Sequence, residues 1–114
     1  MPFISTVTTK TIDKETRELL KSELGKIIED LPGKTERWLM LSFEDNIPMY
    51  FKGDDSSDTA YIEVKIFGSA PDSAYDKFTA DICALYESKL GISSDRIYVK
   101  YEECERWGWN GSNF

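Results

Sequence analysis

The feature that most constrains this fold is a sequence that states one plan twice. "GKTERWLMLSFED" begins at Gly33 and "GISSDRIYVKYEE" begins at Gly91. Each copy has a glycine, an acidic residue followed by arginine, an apolar run, and then an aromatic and two acids. The matched pieces are Glu36-Arg37 with Asp95-Arg96, and Phe43-Glu44-Asp45 with Tyr101-Glu102-Glu103. The stretches upstream match in kind. "PFISTV" is short and rich in β-branched residues, so it reads as a strand. Asp13 suits a helix N-cap, and Leu20, Leu24, Ile27 and Leu31 follow on one helical face until Pro32-Gly33 ends it. In the second half "AYIEVKIF", Ala60 to Phe67, is the strand. Ser69 and Asp72 fit an S-x-x-D capping box with Pro71 in the first turn. Phe78, Ile82 and Leu85 mark the helical face, and Gly91 stops it. The halves close on strands at Arg37 to Phe43 and Arg96 to Tyr101.

Two β-α-β units follow from this. A β-α-β crossover joins parallel strands with a right-handed connection. The expected fold is α/β: a four-stranded sheet with a pseudo-twofold and two helices on one face, in a single domain over residues 1–114. "NIPMYF" reads as an edge strand at best, because Pro48 cannot donate to a ladder. "KGDDSSD" reads as a solvated turn that lacks the calcium-loop pattern. The helices leave one sheet face bare, while "WLMLSF" and "YIEVKIF" carry apolar or aromatic residues toward both faces. With three Trp, six Tyr and six Phe in the chain, further copies of the chain are the simplest cover, so an oligomer is expected.

Composition narrows the chemistry. The chain has no histidine, which excludes a histidine triad, a His-ligated zinc and a His general base. A net charge of −7 argues against general affinity for nucleic acid or an anionic membrane. No basic segment leads into an apolar run, and no run approaches the ~18 apolar residues of a span, so a cytoplasmic protein is expected. Cys83 and Cys104 have neither metal-like nor redox-like spacing. The N-terminal amine is one of the few groups that titrate near neutral pH, at about 7.7–8.0. Initiator methionine is commonly trimmed before a small residue, which would leave Pro2 with a free secondary amine. Alone, a proline there reads as the start of an exposed edge.

Met1-Pro2, "PGK" at 32–34, "FGSAP" at 67–71, "GISSDRIYVKY" at 91–101 and "GWNGSNF" at 108–114, in that order and spacing, resemble the macrophage migration inhibitory factor family of the tautomerase superfamily. The resemblance covers essentially the whole chain. It implies a homotrimer with three sheets around a solvent channel, six helices outside and active sites at the subunit interfaces. The implied activity is keto–enol tautomerisation of small aromatic 2-oxo acids such as phenylpyruvate, or of dopachrome-like compounds. The processed proline, here Pro2, is the base, and no metal or organic cofactor is used. An apolar pocket that disfavours the charged amine would bring the base toward working pH.

The resemblance also assigns roles by position. Lys34 matches a lysine that meets the substrate carboxylate; apart from the resemblance it reads as a cation at a helix C-terminus. Ile66 and Phe67 match the strand end whose backbone N–H holds substrate. Tyr98 matches an aromatic lid contributed by the neighbouring subunit, or simply packs on its strand. Lys100 stands where the family has asparagine; it is a second cation at the site unless it pairs with Glu102 or Glu103. Trp38 matches a pocket-rim aromatic, Trp107 falls at the pocket mouth, and Trp109 and Phe114 match the C-terminal aromatic segment. "TAYI", Thr59 to Ile62, replaces the C-x-x-C of vertebrate members, so thiol–disulfide activity does not carry over. Relatives can be exported without a leader, and no protein receptor follows from the match. The alternative to a tautomerase is a cytokine-like or structural trimer with a vestigial pocket; Pro2, Lys34 and Tyr98 together favour catalysis.

Overall fold

The computed structural model describes residues 1–114. Its order is β1 (Pro2–Thr8), α1 (Lys14–Ile27), β2 (Met40–Glu44), β3 (Ala60–Phe67), α2 (Asp72–Leu90), β4 (Ile97–Cys104), and a terminal hairpin of β5 (Gly108–Trp109) and β6 (Ser112–Asn113). The main sheet runs β2-β1-β3-β4. β1 pairs parallel with β2, β3 pairs parallel with β4, and the two units meet where β1 and β3 run antiparallel. The pair Ile4–Leu41 of the first unit becomes Ile62–Val99 in the second. The pseudo-twofold passes through the Ser5–Glu63 pair of the central ladder.

Period-2 alternation decides which side chains face the helices. On β1, Ile4, Thr6 and Thr8 are buried; on β3, Ala60, Ile62, Val64 and Ile66 are. Leu20, Leu24 and Ile28 from the first helical segment and Phe78, Ile82 and Tyr86 from α2 close over them. The helical face therefore falls at Ile28 and Tyr86, where Ile27 and Leu85 were expected. A 3.6-residue period carries the core stripe from Leu24 and Ile82 to those positions, and Ile27 and Leu85 pack at its margin.

Element ends differ from expectation in three places. Asp13 does cap α1, accepting from Thr16 N at 2.7 Å, but α1 stops at Ile27, a 3-10 turn covers Ile28–Asp30, and Leu31 is buried in extended conformation. The Ser69–Asp72 capping box does not form. Pro71, held extended, is the N-cap and has no side-chain cap; its carbonyl accepts from Ala74 N and Tyr75 N, so Ser69 lies too early to reach the first turn. Both parallel strands start after their arginines, because Glu36–Trp38 and Ser94–Arg96 each form a 3-10 turn. "NIPMYF" contributes one isolated bridge, Phe51–Asp54, and no strand.

The sheet face away from the helices is more polar than expected. Phe3, Val7, Tyr61 and Phe67 share it with Ser5, Glu63, Lys65, Lys100 and Glu102, and Lys100–Glu102 closes an ion pair at 3.1 Å. What the fold leaves open is instead its two edges, β2 and β4, together with a hairpin detached from the main sheet. Unpaired edges invite pairing with another chain.

A buried hydrogen bond joins β1 to α2: Thr6 Oγ1 and Tyr86 OH lie 2.5 Å apart, both essentially inaccessible. Tyr86→Phe leaves the Thr6 hydroxyl unpaired and should cost about 1–3 kcal/mol; adding Thr6→Val should return part of that loss. Urea unfolding of both single variants and the double variant at one protein concentration measures the coupling. Additive losses would show that the bond contributes nothing beyond packing.

Candidate active site

The start of β1 is where both units bring their chemistry together. Pro2 is buried and pairs with Ile66 near the end of β3. The ladder continues one step beyond the strand, since Phe67 N donates to the Met1 carbonyl at 3.1 Å. The Phe67 carbonyl in turn accepts from Lys34 Nζ at 2.9 Å. Lys34 reaches it from the turn after the first helical segment. Its own N–H bonds Leu31 O, and Gly33 supplies the left-handed residue (φ +80) that this chain reversal needs. Met1, Phe67 and Lys34 are thus linked by two consecutive hydrogen bonds.

Met1 carries the chain's free amine in this structure, and the Pro2 nitrogen is an amide. The Met1 ammonium is held below its ordinary value of 8.0. Burial is the largest cause, the Lys34 charge adds to it, and Cys104 opposes them. This corner of the fold disfavours a proton on an amine.

The C-terminal segment supplies the aromatic wall. Asn110 and Gly111 both have positive φ (52 and 87), the two-residue turn that an Asn-Gly pair forms readily, and it folds β6 back on β5. Phe114 N then bonds Trp107 O at 3.0 Å. Trp109 meets Trp38 edge-to-face at 5.0 Å and stacks with Phe114 at 6.4 Å, and Phe114 lies 5.8 Å from Phe67. These rings border a cavity of about 690 Å³ whose lining includes Pro2, Trp38, Trp107 and Trp109, with Arg37 and Met40.

Of the residues singled out in the sequence, Pro2, Trp38, Trp107 and Trp109 line this cavity, and Lys34, Ile66, Phe67 and Phe114 adjoin it through the contacts above. Tyr98 and Lys100 lie elsewhere in the protomer. The row of the sheet through Pro2 runs Ile66–Glu103, whereas Tyr98 belongs to the row Val7–Tyr61. Five residues of strand separate the rows, about 17 Å at ~3.3 Å per residue. Tyr98 is exposed and meets Phe51 edge-to-face at 5.0 Å. Lys100 pairs with Glu102. Both cysteines are free; burial pushes the Cys83 thiol up, and Cys104 Sγ donates to Arg106 O at 3.4 Å. The sequence reading missed Arg37, the one charged side chain in the cavity lining. The signal was present in "ERW", where the arginine directly precedes the rim tryptophan.

Known proteins resemble this chain in sequence and in fold. The family model described as "Macrophage migration inhibitory factor (MIF)" matches residues 1–114. The macrophage migration inhibitory factor of Meriones unguiculatus is 32% identical over 103 residues, 85% of each chain. The crystal structure of Leishmania major MIF2 superposes with a TM-score of 0.92 at 34% identity, covering 100% of this chain and 97% of that one. The macrophage migration inhibitory factor homologue from Prochlorococcus marinus gives 0.87 at 34% identity, covering 98% of both.

In the Met1-retaining chain, Lys34→Ala should move the amine pKa upward, since it removes a repelling charge, yet leave it below 8.0, because burial is the larger cause. The pH dependence of selective N-terminal acylation reports it. A downward shift would mean that Lys34 does not act on this amine.

Proposed function

The chain belongs to the macrophage migration inhibitory factor family, and from that premise we propose that it is a keto–enol tautomerase of small aromatic 2-oxo acids, with the Pro2 amine, freed by removal of Met1, as its base. The observation that carries this reading is a buried Pro2 in a tryptophan-lined cavity, with Lys34 joined to the same corner by two hydrogen bonds.

The reaction breaks a C–H bond next to a carbonyl. The Pro2 nitrogen takes the proton, the electron pair moves into the new C=C bond, and the carbonyl oxygen gains negative charge. Returning the proton to that oxygen gives the enol. A base near its working pH serves best, and the features that lower the Met1 ammonium here, burial and Lys34, act on the same corner. Lys34 would hold the substrate carboxylate by a charge-assisted hydrogen bond. Phe67, next to Ile66, has its N–H on the Met1 carbonyl. Loss of Met1 therefore releases this donor beside the base, where it can stabilise the charge that develops on oxygen. No cofactor enters these steps.

The proposed assembly is a homotrimer. Edges β2 and β4 and the detached hairpin are open in the protomer, and a neighbouring sheet would bring its Tyr98 and Lys100 to the Pro2 end. Lys100 would have to leave Glu102 to meet an anion. No helix is long and apolar enough to cross a membrane, and the proposal needs neither membrane nor nucleic acid.

Mass spectrometry separates trimmed from untrimmed protein. Trimmed protein should enolise phenylpyruvate, with a rate that rises with pH as the amine loses its proton, its midpoint below about pH 8, the unperturbed amine value. Met1-retaining protein should be nearly inactive, and Pro2→Ala weakened. Equal activity in both forms would rule out Pro2 as the base.

Light scattering should give three times the 13.1 kDa chain mass. A stable monomer at micromolar concentration would remove the interface contribution of Tyr98 and Lys100.

A further inference from the structure

Arg37 stands apart from the other charges near the cavity. Its guanidinium lies over the Trp38 ring, 5.1 Å from the centroid. Trp38 is itself held edge-on by Trp109. Neither a hydrogen-bond acceptor nor a carboxylate engages the guanidinium, although the chain has 21 acidic residues against 14 basic ones. The adjacent acid does not neutralise it: the Glu36 carboxylate is turned back over Gly25 of α1. A guanidinium stacked on a fixed indole keeps its edge N–H donors free for an oxyanion.

Its position relative to Lys34 is set by strand order. β1 lies between β2 and β3. Lys34 is anchored at the end of β3 through the Phe67 carbonyl, and Arg37 borders the cavity with Met40 at the start of β2. Lys34 is therefore held on the β3 side of β1, and Arg37 lines the tryptophan-walled cavity on the β2 side. A substrate with one carboxylate satisfies only one of them.

We propose that Arg37 is a specificity-determining residue that binds a second anionic group at the far end of the substrate, so that the preferred class is an aryl 2-oxo acid with an acidic ring substituent. This rests on the tautomerase reading for the orientation of the substrate, whereas the preference for a second anion is a property of the cavity alone.

Two unreactive probes separate binding from turnover: 3-phenylpropionate and 3-(4-carboxyphenyl)propionate, titrated against trimmed protein by tryptophan fluorescence. The dianion should bind about three- to fivefold more tightly, the scale of a partly exposed ion pair, and added salt should shrink the ratio. Arg37→Gln should bring the ratio to about one, and Arg37→Lys should keep part of it. Equal binding of the two probes by the unaltered protein overturns the proposal, as does a ratio that survives Arg37→Gln. Turnover of phenylpyruvate and 4-carboxyphenylpyruvate is measured in parallel. If the binding preference is present but neither compound is enolised, the tautomerase reading fails and the Arg37 site stands. If both are enolised at equal kcat/KM with equal probe binding, Arg37 has no part in selection and the tautomerase reading stands.

Discussion

The antiparallel ladder between β1 and β3 places every other element of this chain. Each β-α-β unit is closed internally by parallel pairing, and neither unit contains both halves of the candidate site. Pairing Ser5 with Glu63 fixes the register of the two units. Since the side-chain period of a strand is two, a slip of one residue would turn Ile4 and Ile62 out of the core and Phe3 and Tyr61 into it. The same register sets Pro2 against Ile66, Phe67 N against the Met1 carbonyl, and so the Phe67 carbonyl within reach of Lys34. The core and the site are two outcomes of one alignment.

The electrostatics of the site work against those of the whole chain. At −7, the protein repels an anion at long range, and screening beyond about 8 Å in physiological salt leaves local charge to decide. Lys34 and Arg37 are those local charges. Lys100, by contrast, is committed to Glu102, and Lys77 to Asp30 and Asp81. The same Lys34 that would attract a carboxylate disfavours a proton on the nearby amine. Burial and this one side chain together hold the amine below its ordinary value.

Much of this was legible in the sequence because it was written twice. The repeat supplied the strand count, the parallel pairing within each unit and the glycine stops, and Gly33 and Gly91 do both take positive φ. The repeat misled at its arginines. Glu36-Arg37 and Asp95-Arg96 look equivalent as letters, but in three dimensions Trp38 and Arg96 close the matching 3-10 turns. Arg37 is thereby one position off its apparent partner. Arg96 turns inward to bind the carbonyls of Asp54, Ser57 and Asp58, while Arg37 lies on Trp38 at the cavity. The family resemblance drew attention to Pro2, Lys34 and the aromatic tail, and passed over Arg37 because that residue belongs to no shared motif. Ser69 misled for another reason: a capping motif depends on where the chain leaves extended geometry, and Pro71 delays that point.

A single protomer presents Pro2, Lys34 and three tryptophans at one end of its sheet, and Tyr98 exposed at the other. An exposed tyrosine on an edge strand, with a ring–ring contact only to Phe51, is poorly explained by the fold of one chain. The β5–β6 hairpin likewise joins neither edge of the main sheet. Both features fit a sheet whose edges are completed by neighbours, one protomer's Pro2 end meeting the next protomer's Tyr98 end. In such an arrangement the bare sheet face can remain wet, and its central Ser5, Glu63, Lys65 and Lys100 become acceptable as the lining of a solvent channel. The polarity that argues against a face-to-face second layer thus argues for closure edge to edge.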